Sequence, residues 1–528
     1  MAKFTSLYKC PDGTDFTVEW EDPSDSAISW RWNQDHWPLP TAPLDAAIGW
    51  IGQSARDRTY ADAGLLVPAA FRSFLRPQGF VYLQNAPLSR AERAVQDEAV
   101  DRLTDHWGGV LQVWEEYCLP RIRDYCWRLQ EAPADTAIAD LGDIATAARH
   151  LTHVSGQTVG LAMNRFVAFC QAHFGQEGQA LAYDVTQGYA NATTDADQAL
   201  WDLARLANAS PDVKRALLTN GQSAHEAISG ASGSAEFAAA FQRYLDLYGW
   251  RAEGWQLDAP TWRERPDIPL SHIRRIIGEA APQPNDAVRQ GAQRRQAIIA
   301  DTENRLPPAE RAEFHALLAP LAHYVAIREA RALWQLIANG SLRTAVLRRG
   351  RRLTDDGLIP AAESVFFLLP EEIESPGMNL GSLTDQRRED WQRWCEIQPP
   401  EFIGADSPST ARVTLPPASD QERVIRGIAA SRGVVTARAK VLTSLDEANK
   451  LQSGDVLVCV MTSPPWTILF GRAAAVVTDT GSILSHPSIA AREYGIPCVV
   501  GTRVATKTIR DGMRITVDGT QGIVRLGE

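Results

Sequence analysis

The sequence has no long apolar run and no excess of basic residues, and these two absences exclude several classes of protein. No stretch reaches the roughly eighteen apolar residues that a membrane-spanning helix requires, and residues 1–10 lack the continuous apolar segment of a signal peptide. The formal net charge is −11, whereas nucleic-acid surfaces and polybasic membrane patches are strongly basic. We therefore expect a cytoplasmic protein whose partners are proteins and small molecules.

The seven cysteines are odd in number and widely scattered, and none forms a Cys-x-x-Cys pair. This pattern predicts neither a disulfide framework nor a zinc site. His150 and His153 could lie on one helix face, but no acidic residue or cysteine stands at ligand spacing beside them, which favours a pocket or core role over a metal site. The sequence also lacks the Gly-x-x-x-x-Gly-Lys-[Ser/Thr] loop that binds nucleotide phosphates in many ATPases.

The composition of the chain is typical of a globular protein, since 45% of its 528 residues are hydrophobic and 22% are charged. That length is enough for two or more domains. Residues 1–90 are mixed, with a predicted strand at 80–83, whereas from about 88 to 375 apolar residues recur every three or four positions and predict a helical bundle. The predicted helices are Ala91–Leu129, Ala137–Phe174, Ala196–Ala207, Ala235–Gly249, Pro308–Asn339 and Leu342–Leu353.

Composition and period change after residue 375. The stretch 376–421 is rich in proline, serine and aspartate and predicts a linker. Beyond it, short apolar runs separated by glycine, aspartate and proline predict a compact β/α domain. The predicted strands are Val434–Val441, Val456–Met461, Ala473–Thr478, Cys498–Val500, Arg514–Val517 and Gly522–Arg525. The predicted fold class is therefore α+β multidomain, with a mainly helical domain at 1–375, the linker at 376–421 and a small domain at 422–528.

One histidine, His486, lies between a glycine-bearing turn and a short predicted helix. Ser485 suits the N-cap of that helix, Pro487 its first turn and Gly495 its left-handed stop. Unpaired backbone N–H groups and the positive end of the helix dipole meet at such a terminus, so they would stabilise the oxygens of a phosphoryl group on the imidazole. His486 is therefore the candidate phosphate carrier; the alternative is a histidine that only begins an ordinary helix.

Residues 481–501 follow the pattern Gly-x-x-x-Ser-His-x-x-x-x-Ala-Arg-Glu-x-Gly-Ile-Pro-x-Val-Val-Gly, which resembles the signature of swivelling phosphohistidine domains in the phosphoenolpyruvate-utilising superfamily. Segments 433–442, 454–458 and 462–467 extend this resemblance. Ser482 and Pro487 depart from the phosphoenolpyruvate synthase pattern and are more similar to the rifampicin phosphotransferase and phenylphosphate synthase branch. The resemblance implies a small β/β/α swivelling domain that carries phosphate on His486.

The helical middle resembles the substrate-binding helical domain of the same two enzymes at 241–251, 259–266, 327–329 and 364–373. A self-sufficient rifampicin phosphotransferase has a large ATP-grasp domain before this region, and this sequence has no counterpart of it. The resemblance therefore implies the acceptor-and-carrier half of a split enzyme. As in phenylphosphate synthase, a separate ATP-grasp subunit would hold ATP and Mg²⁺.

Phosphoryl transfer depends on positioning and on cationic groups that neutralise the spreading negative charge. Arg492, about one and a half helical turns past His486, is the candidate nearest the donor, and Ser485 could bind the phosphate or cap the helix. Thr478 and Gly481 are expected to shape the turn. The acceptor pocket is expected to include His150, His153, Trp250, Arg251, Arg328 and Glu329. Either histidine or Glu329 could accept the hydroxyl proton, and for each arginine the alternative is a surface ion pair.

The resulting hypothesis is a phosphotransferase in which His486 takes phosphate from ATP and transfers it to a hydroxyl, giving the phosphate ester, AMP and phosphate. A phenolic acceptor is preferred because of the resemblance to phenylphosphate synthase. The sixteen tryptophans would suit a flat aromatic ligand but are equally typical of a core. Two alternatives remain: a phosphotransferase for an aliphatic alcohol of an antibiotic or biosynthetic intermediate, and a non-catalytic phosphocarrier or regulatory module.

Overall fold

The computed structural model describes residues 4–527, apart from 21, 35, 69–73, 85–88, 220–223, 230–232, 253, 280–282, 378, 406–423, 463 and 484. Its contacts divide the chain into two compact units. The first consists of Met1–Thr158, Gly254–Ala259 and Trp334–Val413, and the second of Val159–Glu253, Pro260–Leu333 and Thr414–Glu528. The predicted domain boundaries at 375 and 422 stay predictions, because these units reflect contacts rather than the ability of a segment to fold alone.

The α-helices are numbered here in chain order. They are α1 Pro43–Ile51, α2 Gln53–Asp62, α3 Arg90–Trp107, α4 Val110–Gln112, α5 Leu119–Glu131, α6 Ile138–Phe174, α7 Gln176–Asp184, α8 Ala192–Ala209, α9 Pro211–Thr219, α10 Ala224–Ser229, α11 Ala235–Tyr248, α12 Asp267–Glu279, α13 Pro284–Arg305, α14 Arg311–Leu318, α15 Tyr324–Asp355, α16 Pro370–Glu374, α17 Leu380–Cys395, α18 His486–Tyr494 and α19 Ala505–Thr508.

The strands are numbered in the same way. They are β1 Phe4–Lys9, β2 Asp15–Trp20, β3 Ser29–Trp32, β4 Phe74–Leu75, β5 Tyr82–Gln84, β6 Phe402–Gly404, β7 Val424–Arg426, β8 Ile428–Ser431, β9 Val434–Leu442, β10 Val456–Cys459, β11 Ala475–Thr478, β12 Cys498–Val500, β13 Arg514–Asp518 and β14 Ile523–Leu526. The mainly helical chain with a sheet-containing C-terminal part confirms the predicted α+β multidomain class.

The first unit contains a β1–β2 hairpin and an antiparallel sheet of order β4-β5-β3-β6. Phe16, Val18 and Trp20 alternate along β2 and are buried together with Trp30 and Tyr82, which is the period-two pattern of a half-buried strand. Strand β5 overlaps the strand predicted at 80–83.

The described part of the predicted linker contains regular structure, so the composition was misleading there. Helix α17 occupies 380–395, and β6 pairs with β3 in the sheet of the first unit. Proline is absent from 380–395, and the prolines at 399 and 400 follow the helix rather than interrupt it. Residues 406–421 of the predicted linker lie outside the described residues.

Two long predicted helices are interrupted. Pro320 cannot donate a backbone hydrogen bond, and the predicted helix 308–339 divides around it into α14, a 3₁₀ turn at Ala319–His323 and α15. The predicted helix 91–129 is broken at Gly108 and Gly109, whose φ angles are +82° and +143°. Among the described residues, no helix combines the length and apolar character needed to cross a bilayer.

The helical part of the second unit is built around an amphipathic α8. Asn191 begins this helix as a capping box with Thr194, because each side chain bonds the other residue's backbone N–H. Leu200, Leu203 and Ala204 repeat at helical spacing and are buried against residues of α11 and α12. This arrangement holds one end of α8, with residues 193–197, beside the β-rich part of the same unit.

The β-rich part of the second unit is one eight-stranded sheet of order β7-β14-β13-β9-β10-β11-β12-β8. Strands β9, β10, β11 and β12 are mutually parallel where they pair, and the outer pairings are antiparallel. The two edge strands β7 and β8 are joined by Gly427 alone, so the sheet must curl until its edges approach. Helix α18 connects β11 to β12 and buries Ile489, Ala490 and Ala491.

Candidate functional site

The turn after β11 has a conformation that only glycine adopts easily. The Thr478 hydroxyl donates to the Thr480 carbonyl oxygen at 2.6 Å inside this turn. Gly481 has a φ of +111°, and a Cβ at this position would approach Ser485 Oγ to 2.8 Å. A side chain is therefore excluded both by the backbone conformation and by space, and Thr478 and Gly481 shape the entry to α18.

Helix α18 begins and ends where the sequence predicts. His486 is its first residue, Pro487 lies in the first turn, and Gly495 ends it with a φ of +67°. Ser485 occupies the N-cap position, but its side chain does not cap the helix. Its hydroxyl donates to the Ser482 carbonyl oxygen at 2.7 Å instead, so in this structure Ser485 tightens the turn.

The two ring nitrogens of His486 face groups from different elements of the second unit. His486 Nε2 lies 3.0 Å from the Thr467 hydroxyl oxygen, which is in the 3₁₀ turn Pro464–Leu469 after β10. His486 Nδ1 lies 3.6 Å from Glu329 Oε2 on α15, an ion-pair separation rather than a hydrogen bond. The imidazole is 14% exposed and the Glu329 side chain 4%, so the pair is largely shielded from water.

Glu329 is a buried carboxylate held in its charged form. Burial raises the pKa of Glu329, but the neighbouring His486, the Thr193 hydroxyl and the Arg328 charge more than offset that effect and lower the pKa to about 2. The Thr193 hydroxyl donates to Glu329 Oε2 at 2.6 Å. A carboxylate in this state attracts a proton on the facing imidazole nitrogen.

Arg492 has a different environment from either predicted alternative. Its side chain is buried and donates to the Ala430 carbonyl oxygen at 2.7 Å and the Ile483 carbonyl oxygen at 3.0 Å. Its guanidinium carbon also lies 5.4 Å from the centre of the Tyr183 ring. Arg492 is therefore neither a surface ion pair nor, in this structure, directed at the His486 ring; it ties α18 to β8 and to the turn.

The predicted pocket residues of the second unit are partly structural. Trp250 donates its indole N–H to the Asp246 carbonyl oxygen at 3.0 Å. Arg251 is 2% exposed, with its guanidinium 5.6 Å from the centre of the Trp262 ring. Arg328 is half-buried and has a long 3.4 Å contact with the Tyr324 hydroxyl. Arg328 adjoins Glu329 in sequence, and its charge is one of the effects that lower the pKa of that carboxyl.

His150 and His153 belong to the first unit. Their rings lie 5.5 Å apart, and His153 Nε2 is 3.1 Å from Gln335 Nε2. Burial lowers the pKa of His150 to about 3, and the charges of Arg149 and Arg56 add to this effect. His150 is thus a neutral imidazole at physiological pH.

Several residues at the site were not singled out in the sequence. Thr467 ends a segment that resembles the family signature, but the sequence did not predict its contact with His486. Tyr494 donates its hydroxyl to Asp197 Oδ2 at 3.0 Å. Burial raises the pKa of Asp197 to about 6 despite the opposing effects of Arg251, this hydrogen bond and His486. Thr193 and Asp197 gave no signal in sequence, because both look like ordinary residues in the first turns of a helix.

The segments that form this site match two known family models. Residues 451–522 match the family model of the PEP-utilising enzyme mobile domain, and residues 141–329 match that of the rifampicin phosphotransferase fourth domain. The second match ends at Glu329, the residue that faces His486. The two matched segments are therefore similar to the PEP-utilising enzyme superfamily, on its rifampicin phosphotransferase branch.

Similar curated proteins agree with this assignment. A chondramide synthase of Chondromyces crocatus is 29% identical over 98% of the chain but only 14% of its own length. An uncharacterised phosphotransferase of Bacillus subtilis, YvkC, is 29% identical over 69% of the chain and 45% of its own length. A rifampicin phosphotransferase of Streptomyces sviceus is 29% identical over 64% of the chain and 40% of its own length. The chain thus spans less than half the length of each of these relatives.

Proposed function

We propose that this chain is the acceptor-and-carrier part of a phosphotransferase, in which His486 receives a phosphoryl group originating from ATP and transfers it to a hydroxyl of a small molecule. The observation that carries the proposal is the His486 site itself. The histidine begins a helix in a mobile-domain fold, and its ring faces a buried carboxylate from the segment that matches a rifampicin phosphotransferase domain. ATP and Mg²⁺ would be held by a separate ATP-grasp subunit.

The facing groups suggest which ring nitrogen reacts. A proton on Nδ1 directed at the Glu329 carboxylate leaves the lone pair on Nε2, which the Thr467 hydroxyl meets at 3.0 Å. We assign Nε2 as the nucleophile. It forms the N–P bond as an O–P bond of the nucleotide breaks, and the electron pair leaves on the departing phosphate oxygen. Backbone N–H groups at the start of α18 would then stabilise the bound phosphoryl oxygens.

The transfer to the acceptor reverses this bonding. The acceptor oxygen bonds to phosphorus, the N–P bond breaks, and its electron pair returns to Nε2. With Nδ1 protonated towards Glu329, the ring leaves as neutral imidazole, while the hydroxyl proton passes to a phosphoryl oxygen of the product. For AMP to be the leaving product, water must cleave the bond between the two terminal phosphates, which releases one as phosphate and leaves the other on Nε2. Overall, ATP, water and the acceptor then give the phosphate ester, AMP and phosphate. In this scheme Glu329 stabilises the proton on the imidazole and does not accept the hydroxyl proton, because its carboxylate faces Nδ1.

A phenol is the acceptor we propose first, on the resemblance to phenylphosphate synthase. A second candidate is an alcohol of an antibiotic or biosynthetic intermediate. It is favoured by the relatives named rifampicin phosphotransferase and by the chondramide synthase that aligns over 98% of the chain. The two candidates differ only in the hydroxyl that receives the phosphoryl group, so a panel of phenols and alcohols, assayed for phosphate ester and AMP, separates them.

The test is a comparison of wild type and His486→Ala, each incubated with labelled ATP, Mg²⁺, the ATP-grasp partner and the acceptor panel. We expect wild type to become labelled on His486 and to form a phosphate ester. The His486→Ala variant should do neither, because it lacks the ring nitrogen. Circular dichroism and thermal unfolding establish that the variant is folded. Ester formation by folded His486→Ala protein would rule out the phosphohistidine route, and labelling of wild type without any ester would favour a phosphocarrier module.

A further inference from the structure

The far end of the His486 helix is held by polar contacts with the helical part of the second unit. Arg294 on α13 places Nη2 at 3.3 Å from the Glu493 carbonyl oxygen and 3.5 Å from that of Arg492. Its Nε donates to Gln187 Oε1 at 2.9 Å. Carbonyl oxygens in the last turn of a helix carry the negative end of its dipole, so a guanidinium there is favourable even at these long distances.

The two residues that end the helix also bind through their side chains. Glu493 Oε2 accepts the backbone N–H of Gly188 at 2.8 Å, and Tyr494 donates its hydroxyl to Asp197. Glu493 and Asp197 are both 4% exposed. A buried carboxylate without such a donor is unfavourable, so these bonds depend on the two surfaces remaining together.

The loop that receives Glu493 is itself closely packed. Gly188 has a φ of +73°, and a Cβ there would approach the Ala292 backbone nitrogen to 2.0 Å. Arg295 donates to the Gln187 carbonyl oxygen at 2.7 Å. The N–H that Gly188 donates to Glu493 therefore lies in a loop that is fixed against α13, the helix that also supplies Arg294.

We propose that Arg294, Glu493 and Tyr494 are positioning residues that hold α18 in the orientation in which His486 faces Glu329. We call them the helix clamp. The proposal rests on the proposed function, because a carrier histidine must be placed accurately at the acceptor site and must also leave it.

The geometry explains why the clamp lies away from the reacting nitrogen. Tyr494 is eight residues from His486 on one helix, which is about 12 Å along its axis. Contacts at both ends of a rigid rod fix its direction better than contacts at one end. The clamp is made of a few polar contacts rather than a large apolar core, which suits a contact that must form and separate in each catalytic cycle.

The helix should remain folded when the clamp is removed, because other residues hold it in its own domain. Arg492 binds the Ala430 and Ile483 carbonyl oxygens, and Ile489, Ala490 and Ala491 are buried beside the sheet. Loss of Arg294 should therefore free α18 from the helical part without unfolding the β-rich part.

The experiment measures how accessible His486 is. Diethyl pyrocarbonate acylates imidazole nitrogens, and mass spectrometry follows the reaction at His486 relative to the exposed His106. We expect Arg294→Ala and Tyr494→Phe to raise the relative rate at His486 by roughly ten-fold, the effect of losing one hydrogen bond to a charged group. The matched control is Arg289→Ala, which removes an exposed arginine of the same helix α13 and should leave the rate unchanged.

Unchanged acylation in both folded Arg294→Ala and folded Tyr494→Phe would overturn the proposal. If Arg294→Ala does not fold, Arg294→Lys decides instead, since it keeps the charge at the helix end and should partly restore protection. The assay needs neither ATP nor an acceptor. Faster acylation together with full phosphoryl transfer by His486→Ala would therefore support the clamp while rejecting the proposed function.

Discussion

At the scale of single residues, the site contains a buried carboxylate whose ionised form is stabilised by its neighbours. Glu329 is ionised because His486, Thr193 and Arg328 oppose the effect of burial on its pKa. If His486 moves away, the largest remaining influence is burial, which favours the neutral acid. Departure of the histidine must therefore be accompanied by proton uptake or by entry of water at Glu329. Under the proposed function, the pair would link movement of His486 to the charge of Glu329.

The first prediction at this scale concerns Glu329→Gln. The amide keeps the size and can still accept from Nδ1–H, but it removes the negative charge that favours a protonated Nδ1. We expect transfer from phosphorylated His486 to the acceptor to slow by roughly 100-fold, within the range of proton-handling groups. Rapid mixing of the pre-loaded protein with acceptor measures this step.

The matched control for that prediction is Glu313→Gln, an exposed glutamate on the neighbouring helix α14, which should have no effect. A normal transfer rate in Glu329→Gln would show that the carboxylate does not act on the imidazole. A loss of folding would instead point to a purely structural pair, so thermal unfolding of both variants accompanies the kinetics.

At the scale of elements, strands β10, β11 and β12 were predictable because each is a buried apolar run, and glycine, aspartate and proline separate the predicted strands. Strands β7 and β8 were missed, since they border the predicted linker and neither is a run of buried apolar residues. Helix α18 was predictable from Ser485, Pro487 and Gly495. The approach of α8 and α15 to His486 was not, because it joins positions more than 150 residues apart, and only the family resemblance pointed to Glu329.

The second prediction concerns pH and the carboxylates at the end of α18. Burial raises the pKa of Glu493 from 4.5 to about 7, against the effects of the Gly188 N–H, Arg492 and Arg294 and together with that of Glu329. The folded state therefore holds an extra proton between those values. The contribution of this protonated carboxyl to the free energy of unfolding is fully present below about pH 4.5 and is lost as pH rises through 7. Asp197, raised to about 6, acts in the same direction.

Glu493→Gln separates this effect from the rest of the protein. The amide oxygen still accepts from Gly188, but the side chain no longer titrates. We expect the free energy of unfolding of wild type to fall between pH 5 and 8 by roughly 3 kcal/mol more than that of the variant, from the size of the pKa shift. Chemical denaturation at both pH values measures the difference. Parallel pH profiles for the two proteins would contradict the assignment.

At the scale of the whole molecule, the proposed carrier histidine and the carboxylate that faces it lie within one compact unit. The start of α18 offers backbone N–H groups for phosphoryl oxygens, but a helix terminus alone does not recognise adenosine or hold Mg²⁺ with the several oxygen ligands that this ion requires. The relatives extend well beyond the matched regions. The proposed function therefore assigns the nucleotide to the ATP-grasp partner rather than to this chain.

The third prediction follows from that placement and is tested by calorimetry. Titration of this chain alone with MgATP should show no binding tighter than about 1 mM, a level typical of weak contacts, and the chain alone should not release AMP. Addition of the ATP-grasp partner should produce both AMP and labelled His486, whereas His486→Ala mixed with the same partner should remain unlabelled. Micromolar binding of MgATP to the isolated chain would contradict the split arrangement and would place a nucleotide site within these 528 residues.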